Sequence, residues 1–450
     1  MIRPRSHTAR PALAALAALA LTLGSPAARG LAPQDAPAAT QAMTDDEPAT
    51  TEPAADATDD DTLLVHRPPE EILRAGRIPQ EPAPLPDRPA IHDSIAKGVE
   101  HLLAAQNEDG SFGSWNEPAH EFWSNPHTHF AWIAATTGLG VMTFLDLPES
   151  ERVLKAADRA VAFLVEQSPL QRPSDWDVDN TWGYIYGLQA LSVALQHPRY
   201  ADTPRREDMI EKAGHYLEGL AQTQSPDGGW GYYDFETLAQ RPSWSTSFMT
   251  AVAILAMLDA KAAGLPVEDE RLDRAVRALE RCLLPTGAYT YSVNAFPRPG
   301  GLEWIDQTKG SLSRIQVGNL ALVLAGSDKV DHDDLLKGLD EFFEHHRFLD
   351  VARKKPYPHE AYYANSGYFY FFGHYYAARI LELLPVAEKV RYQARLAREV
   401  VKTQEADGSM WDFYINTYHK AYGTSFGVMT LLRTLPQEEP VAPPPRPGRR

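Results

Sequence analysis

One phrase recurs three times along the 450-residue chain and constrains its fold more than any other feature. A glutamine is followed three residues later by an Asp-Gly pair and then by an aromatic residue, and the copies begin at Gln106, Gln224 and Gln404. Asp-Gly favours a tight turn, because glycine adopts positive φ freely and aspartate bonds nearby backbone amides. Apolar helical patterns flank every copy, so the chain is predicted to repeat one helix–turn–helix unit.

The glutamine and the aromatic residue of each copy are expected to have structural roles. A glutamine side chain can bond the backbone groups that a helix end leaves without partners. Phe112, Trp230 and Trp411 are expected to pack over their turns. Nothing in the phrase performs catalysis.

Hydrophobic periodicity predicts six pairs of helices. The pairs are 91–106 with 130–145, 149–167 with 181–196, 206–222 with 245–263, 268–284 with 313–326, 331–346 with 366–384, and 387–404 with 424–435.

The two helices of a pair differ in character. The first is amphipathic and charged, as in ERVLKAADRAVAFLVEQ, whereas the second is apolar on all sides, as in SFMTAVAILAML. A helix without a polar face has to be buried all round. The second helices are therefore predicted to form an inner ring inside the first, as an all-α (α/α)6 toroid. The alternative is an open α-solenoid, which would need polar end helices that the sequence lacks.

Three segments carry a resemblance to a known family. The stretches 97–112, 212–230 and 398–411 resemble the QW repeat of squalene–hopene and oxidosqualene cyclases, and protein prenyltransferase β subunits are similar in fold. The resemblance implies a closed α/α barrel over residues 91–435. The cyclases place their cavity between two such barrels, and this chain has residues for one.

The segments outside 91–435 are predicted to lie outside the toroid. Residues 1–30 combine an arginine-containing start, an apolar run and small residues, as in a signal peptide, so we expect export to the periplasm or medium. Residues 31–90 are rich in Pro, Ala and Asp and are expected to be a disordered linker, and 436–450 form a Pro/Arg-rich tail. Cys282 is the only cysteine, so no intramolecular disulfide can form.

The net charge of −17 bears on binding partners. Nucleic acids and anionic membrane surfaces are bound through Lys and Arg, so neither is an expected partner. No apolar run is long enough for a stable membrane span. The sequence carries no signal for an oligomeric state.

Long connections lead from outer to inner helices, whereas the return connections are short. Connections of this length are usually functional or disordered. The inner helices would point their N-termini, which favour anionic groups, at one mouth. The long connections are 168–180, 231–244, 286–312 and 348–365.

The sharpest motif at this mouth is Asp177-Val-Asp179-Asn-Thr, directly before the second inner helix. It is similar to the D-x-D-D-T motif of class II terpene cyclases. The resemblance implies that Asp179 is a proton donor and Asp177 its neighbour, although Asn180 replaces the third acidic residue. The alternative is that Asp179 or Asn180 simply caps the helix.

Further side chains near the mouth are candidates for ligand binding. Aromatic rings could stabilise carbocations, stack on sugars or pack the core. Histidines at this frequency are more often structural than metal ligands, and Cys282 lies away from the mouth, so no metal and no cofactor are expected. The candidates are Trp182, Tyr186, Asp234, Trp244, Tyr368, Tyr370, His374 and Tyr422.

Three functions remain compatible with these features. The first is a cyclase-like isomerase acting on a terpenoid or other hydrophobic ligand, with Asp179 as the acid. The second is a polysaccharide lyase or hydrolase on the same toroid, with Asp177, Asp179 and Asp234 among its carboxylates. The third is a non-catalytic cell-envelope binding domain. The resemblance favours a cyclase-like repeat domain as the identity of the protein, and it leaves open whether the protein is catalytic.

Overall fold

A computed structural model describes residues 85–114, 126–173, 177, 179–231, 244–293 and 304–436. The described residues form α-helices and short 3-10 turns, with isolated bridges in place of strands. The helices are α1 Arg88–Ala105, α2 Pro126–Asp146, α3 Glu151–Glu166, α4 Asn180–Gln196, α5 Arg206–Thr223, α6 Ser247–Ala262, α7 Asp269–Glu280, α8 Leu312–Leu324, α9 His332–Glu344, α10 Arg347–Ala352, α11 Phe369–Leu381, α12 Val386–Val401 and α13 His419–Thr434.

These helices confirm the two predicted classes. The inner helices are α2, α4, α6, α8, α11 and α13, and α6 buries every residue from position 247 to 257. The outer helices bury only one stripe, which in α3 includes Val153, Ala157, Val161 and Leu164. The first outer helix begins three residues before the expected position, because Asp87 accepts a 2.8 Å hydrogen bond from the Ala90 amide and caps it.

The ring is closed. Each inner helix packs against the next, and α13 returns to pack against α2, while the last outer helix, α12, contacts α1. The chain is therefore an all-α (α/α)6 toroid, and the open solenoid is excluded. None of the helices in the described ranges is both long and apolar enough to cross a membrane. The expected signal peptide and most of the expected linker and tail lie outside the described residues.

The repeated glutamine has a different role from the expected one. Its side chain bonds the carbonyl four residues on and a carbonyl of the next outer helix, rather than the end of its own helix. The Nε2 distances are 3.0 and 2.9 Å from Gln106 to Gly110 and Ala156, 2.7 and 3.2 Å from Gln224 to Gly228 and Arg271, and 3.0 and 2.9 Å from Gln404 to Gly408 and Ser94. Because Ser94 lies on α1, the third copy joins the last outer helix to the first.

The aromatic position of the third copy corrects the sequence analysis. The amides of Phe112 and Trp230 each donate at 3.1 Å to a threonine hydroxyl of the following inner helix. In the third copy the equivalent residue is Met410, whose amide donates to Thr424 Oγ1 at 2.9 Å. Trp411, the expected residue, lies one position further on and is half-buried.

A fourth turn of the same form was missed. At 283–289 the amide of Leu284 bonds the carbonyl of Ala288, Gly287 has φ of 88°, and the Tyr289 amide donates to Ser311 Oγ at 2.9 Å. Leucine, threonine and tyrosine replace the glutamine, aspartate and tryptophan, so the turn is recognisable only by its geometry.

At the end away from the long connections, ion pairs join the inner helices. Arg433 of α13 pairs with Asp146 of α2 and, at 2.7 Å, with Glu382, which follows α11. Arg379 of α11 pairs with the same Glu382 at 2.9 Å. The inner helices begin at the other end of the toroid, where the long connections reach them.

Candidate active site

Asp179 stands at the N-cap position of α4 but does not cap it. Its backbone is left-handed, with φ of 62° and ψ of 12°, and its side chain makes no capping hydrogen bond. The side-chain Nδ2 of Asn180 instead donates to the carbonyl of Gln171 at 3.0 Å. The helix-cap interpretation of both side chains is therefore wrong. Residues other than glycine that are held in a left-handed conformation often lie at functional sites, so the conformation of Asp179 is consistent with a functional role.

The Asp179 carboxyl is buried inside the protein. It is 7% exposed, its Oδ1 has no hydrogen-bond partner, and the Trp132 indole N–H donates to the carboxyl. Burial raises the pKa of Asp179 to about 7, and the Trp132 hydrogen bond opposes the rise. A substantial fraction of this carboxyl is therefore protonated at neutral pH, as an acid catalyst requires.

A histidine and a tyrosine hold Trp132 in place. His129 Nδ1 lies 2.8 Å from the hydroxyl of Tyr418. The Trp132 ring meets both rings edge-on, with centroid separations of 5.3 Å to His129 and 5.6 Å to Tyr418. The three side chains come from α2 and from the residue before α13, so the ring closure itself orients the indole towards Asp179.

Aromatic side chains from opposite inner helices meet across the toroid axis. Trp182 stacks on Tyr186 of the same helix at 5.7 Å and approaches Phe372 of α11 at 6.4 Å. The hydroxyls of Tyr186 and Tyr376 are 3.4 Å apart. Phe248 and Phe426 complete the group that we call the axial aromatic cluster: Trp182, Tyr186, Phe248, Phe372, Tyr376 and Phe426.

Two other carboxylates of this region have structural partners. Asp412 is fully buried, accepts a 2.9 Å hydrogen bond from the Phe371 amide near the start of α11, and accepts a 2.5 Å bond from the Tyr422 hydroxyl. Burial raises the pKa of Asp412 to about 6. Asp306 accepts a 2.6 Å hydrogen bond from the Tyr291 amide. Both carboxylates thus organise backbone around the axial aromatic cluster.

The structure brings some of the expected ligand residues together. Trp182 and Tyr186 belong to the axial aromatic cluster, and Tyr422 lies beside it, 6.5 Å from Phe426. Tyr368 bonds His359 Nε2 through its hydroxyl at 3.1 Å. Asp177 is buried next to Asp179, and its carbonyl accepts a 2.9 Å hydrogen bond from Arg172.

Other expected residues are placed elsewhere. Tyr370 donates to the carbonyl of Glu399 on the outer helix α12 at 2.9 Å, and His374 Nε2 lies 2.9 Å from Nε2 of His346. Both side chains therefore point away from the axis, because inner helices bury their outward faces too. Trp244 is half-buried before α6. Asp234 lies outside the described residues.

Sequence reasoning missed two residues of this region. Nothing in the sequence pointed to a functional role for Trp132, because a tryptophan within an apolar helix normally belongs to the hydrophobic core. Arg314 did have a signal: it is a charged residue within the apolar segment LSRIQVGNLALVL of α8. Its guanidinium is 1% exposed and lies 5.4 Å from the Tyr291 ring and 5.9 Å from the Phe369 ring.

Two groups of described side chains have the donor types of a metal site, and both lie on the outer helices or next to them. One is Glu341, Glu344 and His345, and the other is His346, Asp350 and Glu399. In the second group Lys402 contacts both carboxylates, so an ammonium already fills the position that a cation would take.

The sequence comparison identifies the same resemblance. Residues 83–302, which include Asp177 and Asp179, match the squalene–hopene cyclase C-terminal domain family. No significant match was found among curated proteins.

Solved structures with similar folds have several activities. The type II terpene cyclase MstE from Scytonema is 16% identical, with 77% of this chain and 98% of that chain covered and a TM-score of 0.46. The GH76A α-1,6-mannanase from Salegentibacter sp. HEL1_6 is 12% identical, with coverages of 76% and 98% and a TM-score of 0.50. Cellobiose 2-epimerase from Spirochaeta thermophila is 14% identical, with coverages of 78% and 98% and a TM-score of 0.51. The protein is a squalene-cyclase-like α/α toroid.

Proposed function

We propose that the protein is an acid-catalysed isomerase of an isoprenoid-type alkene, with Asp179 as the proton donor. The observation that carries the proposal is the burial of the Asp179 carboxyl, one oxygen of which lacks a hydrogen bond. This burial raises the pKa of Asp179 to about 7. An acid near this pKa is matched to proton transfer at neutral pH.

The proposed chemistry is a proton transfer without a covalent intermediate. The Asp179 O–H adds its proton to an alkene carbon, and the carboxylate that remains is stabilised by the Trp132 indole N–H. The carbocation that forms is stabilised by nearby aromatic faces, because the negative face of each ring attracts positive charge. Loss of a proton from a neighbouring C–H bond then gives an isomer of the substrate, so the overall atom count is unchanged.

The axial aromatic cluster supports an apolar substrate. Its rings are contributed by α4, α6, α11 and α13 and are largely buried. The nearby carboxylates of Asp306 and Asp412 have structural partners, so they do not supply the second catalytic group of a glycoside hydrolase. The match of residues 83–302 to a squalene–hopene cyclase domain supports the same substrate class.

The test is incubation of the purified full chain with squalene and with geranylgeranyl-bearing lipids in D2O. The exchangeable Asp179 proton becomes deuterium, so the expected product is an isomer that carries one deuterium. The Asp179→Asn variant is expected to give no product. Asp208→Asn, at an exposed position of α5, is the matched control and should keep full activity.

Two results would overturn the proposal. One is an Asp179→Asn variant as active as the wild type. The other is turnover of an α-linked or β-linked glycan, with bond cleavage, by a protein that leaves every isoprenoid unchanged. The second result would establish the polysaccharide alternative instead.

We also propose that the protein is exported. The support is the pattern of residues 1–30, in which an arginine-containing start precedes an apolar run and small residues. Cell fractionation followed by N-terminal sequencing of the mature chain tests the proposal. An intact N-terminus on a protein found only in the cytoplasm would contradict it.

A further inference from the structure

The guanidinium of Arg314 is a buried positive charge without an ion-pair partner. Arg314 lies in the first turn of the inner helix α8 and is 1% exposed. Its Nε and Nη2 each donate to the carbonyl of Tyr289 at 3.4 Å, and Nη2 also donates to the carbonyl of Ile305. Within the described part of the chain, Nη1 makes no hydrogen bond and no carboxylate forms an ion pair with the guanidinium.

This positive charge persists at neutral pH. Burial lowers the pKa of Arg314 to about 10, and the nearby Asp306 carboxylate opposes the fall. Asp306 itself accepts the 2.6 Å hydrogen bond from the Tyr291 amide. A charge that has lost its hydration normally requires a partner of opposite charge, and the two hydrogens of Nη1 are available to such a partner.

Two aromatic rings connect Arg314 to the axial aromatic cluster. The guanidinium lies 5.4 Å from the Tyr291 ring and 5.9 Å from the Phe369 ring. These rings lie 5.5 and 5.2 Å from Phe248, which belongs to the cluster. The unpaired charge is therefore one ring away from the group that would stabilise a carbocation. Like charges repel, so a ligand that neutralises Arg314 would also favour the carbocation.

Arg314 lies on the opposite side of the inner ring from Trp132, the hydrogen-bond donor to Asp179. Starting from α2, the inner helices that pack in succession are α4, α6 and α8, so α8 is three positions away in a ring of six. The axial aromatic cluster lies between the two sides. A ligand that spans the cluster would therefore meet the acid at one end and the guanidinium at the other.

The charges of this region match a ligand head group with a single negative charge. Arg314 supplies one unpaired positive charge, and Asp306 is a nearby acidic group. Lys309 and Arg347 lie over the Phe348 ring instead, at 5.7 and 4.9 Å from its centroid. A diphosphate carries several negative charges and would remain largely uncompensated beside one guanidinium. A carboxylate carries one charge and accepts strong hydrogen bonds from guanidinium N–H groups.

We propose that Arg314 binds the carboxylate head group of an isoprenoid acid whose chain lies along the axial aromatic cluster. Nη1 donates to a carboxylate oxygen, and the ion pair neutralises the buried charge. The alkene that receives the Asp179 proton is then one far from the carboxylate. The inference rests on the proposed function and narrows its substrate class from isoprenoid alkenes to isoprenoid acids.

Equilibrium binding to the full-length Asp179→Asn protein tests this inference without turnover. Geranylgeranoic acid, geranylgeraniol and geranylgeranyl diphosphate share one isoprenoid chain and differ in the head group. Quenching of tryptophan fluorescence at about pH 8, where the acid is ionised, measures each affinity. The acid is expected to bind about tenfold or more tightly than the alcohol, as a hydrogen bond between charged groups allows, and more tightly than the diphosphate.

Three further variants assign the preference to Arg314. Arg314→Gln should bind the acid and the alcohol with similar affinities. Arg314→Lys keeps the charge and should keep part of the preference, which a purely structural role would not predict. Arg347→Gln is the matched control, because Arg347 is an exposed cation, and it should keep the whole preference. The comparison of acid with alcohol in the chain that retains Arg314 remains valid even if Arg314→Gln does not fold.

The outcomes separate this inference from the proposed function. Equal affinities for the acid and the alcohol would overturn the head-group assignment alone. Tighter binding of the diphosphate than of the acid would overturn the single-charge assignment. An equal loss of preference in Arg347→Gln and Arg314→Gln would show a long-range charge effect and overturn the role of Arg314. If none of the three lipids binds, the proposed function and the inference are both wrong.

Discussion

At the scale of single residues, Asp179 shows how a toroid can produce an acid. The residue is held in a left-handed conformation before α4, and its buried side chain makes no capping hydrogen bond. A capping carboxylate would be stabilised by the helix N-terminus and would have a lowered pKa. In Asp179 the effect of burial is the larger one and the pKa is raised, because the carboxyl accepts one indole N–H and no capping amide.

The raised pKa of Asp179 predicts a pH-dependent activity. The acid form is the active one, so turnover should be highest at low pH and should fall as the pH rises through about 7. In Trp132→Phe the carboxylate loses its N–H donor, and the falling limb should move to higher pH. The measurement is the rate of deuterium-labelled isomer formation at several pH values. A limb that stays in place in Trp132→Phe would contradict the assignment.

The same shift predicts that Asp179→Asn is more stable than the wild type at alkaline pH. The pKa of Asp179 is about 7 in the folded protein and 3.8 for an unperturbed aspartate, so stability is lost as the pH rises between these values. At about 1.4 kcal/mol per unit, the gain should reach about 4 kcal/mol above pH 7 and be smaller at pH 5. Urea unfolding at both pH values measures it, and an equal gain at both would show that the shift is not the cause.

At the scale of elements, the repeated turn joins neighbouring outer helices. Each glutamine bonds its own turn and a carbonyl of the next outer helix, and each turn glycine approaches that helix closely. A Cβ on Gly408 would lie 2.4 Å from the carbonyl oxygen of Lys97 on α1, at a backbone φ of 81°. The turn is therefore an interhelical clamp, and the copy at Gln404 completes the outer ring.

Gln404→Leu is expected to destabilise the toroid by about 1–3 kcal/mol. The change removes two hydrogen bonds and leaves the carbonyls of Ser94 and Gly408 without this donor. Hydrogen exchange should increase in α1, the helix that contains Ser94.

Gln106→Leu is the matched comparison for this change. It should cost a similar amount and increase exchange in α3, which contains Ala156. Equal loosening of α1 and α3 in both variants would contradict the clamp.

At the scale of the whole molecule, the closed ring should not depend on which of its connections is left open as the chain ends. The start of α1 and the end of α13 lie at the end of the toroid away from the mouth, because outer and inner helices alternate in direction. The short connection 325–331 between α8 and α9 lies at the same end. The ring is closed by the packing of α13 on α2, and this packing does not require a particular chain connection to be open.

A circular permutant should therefore fold. A flexible linker of about 10 residues would join residue 436 to residue 85, with new ends at 327 and 328. We expect one cooperative unfolding transition and a stability within about 2 kcal/mol of an unpermuted 85–436 chain. Circular dichroism during urea unfolding measures both. Loss of cooperativity would indicate that the ends contribute more than the closed ring requires.

Much of the fold could be predicted from the sequence, because its signals are local. The two helix classes follow from whether apolar residues fill one stripe, as in α3, or the whole circumference, as in α6. The turn glycines and aspartates determine their own geometry. The fourth turn at 283–289 was missed because hydrogen bonding to Ser311, rather than residue type, defines it.

The candidate site was only partly predictable. The Asp177–Asp179 motif predicted a site at the mouth. For a helix that is buried on all sides, however, the sequence does not indicate which side chains face the toroid axis. Tyr370 and His374 were expected to face the ligand, and tertiary packing turned them towards α12 and His346. Trp132 is distant from Asp179 in sequence and meets it only because α2 and α4 pack side by side.

The sequence by itself therefore determined the helices, their inner and outer classes and the end of the toroid at which the long connections meet. The tertiary structure decided that Asp179 is a buried acid rather than a cap, which inner side chains face the axis, and that Gln404 completes the ring. The physical reason is range: periodicity and turn chemistry act between near neighbours, whereas burial, pKa and hydrogen-bond partners depend on groups that only the closed ring brings together.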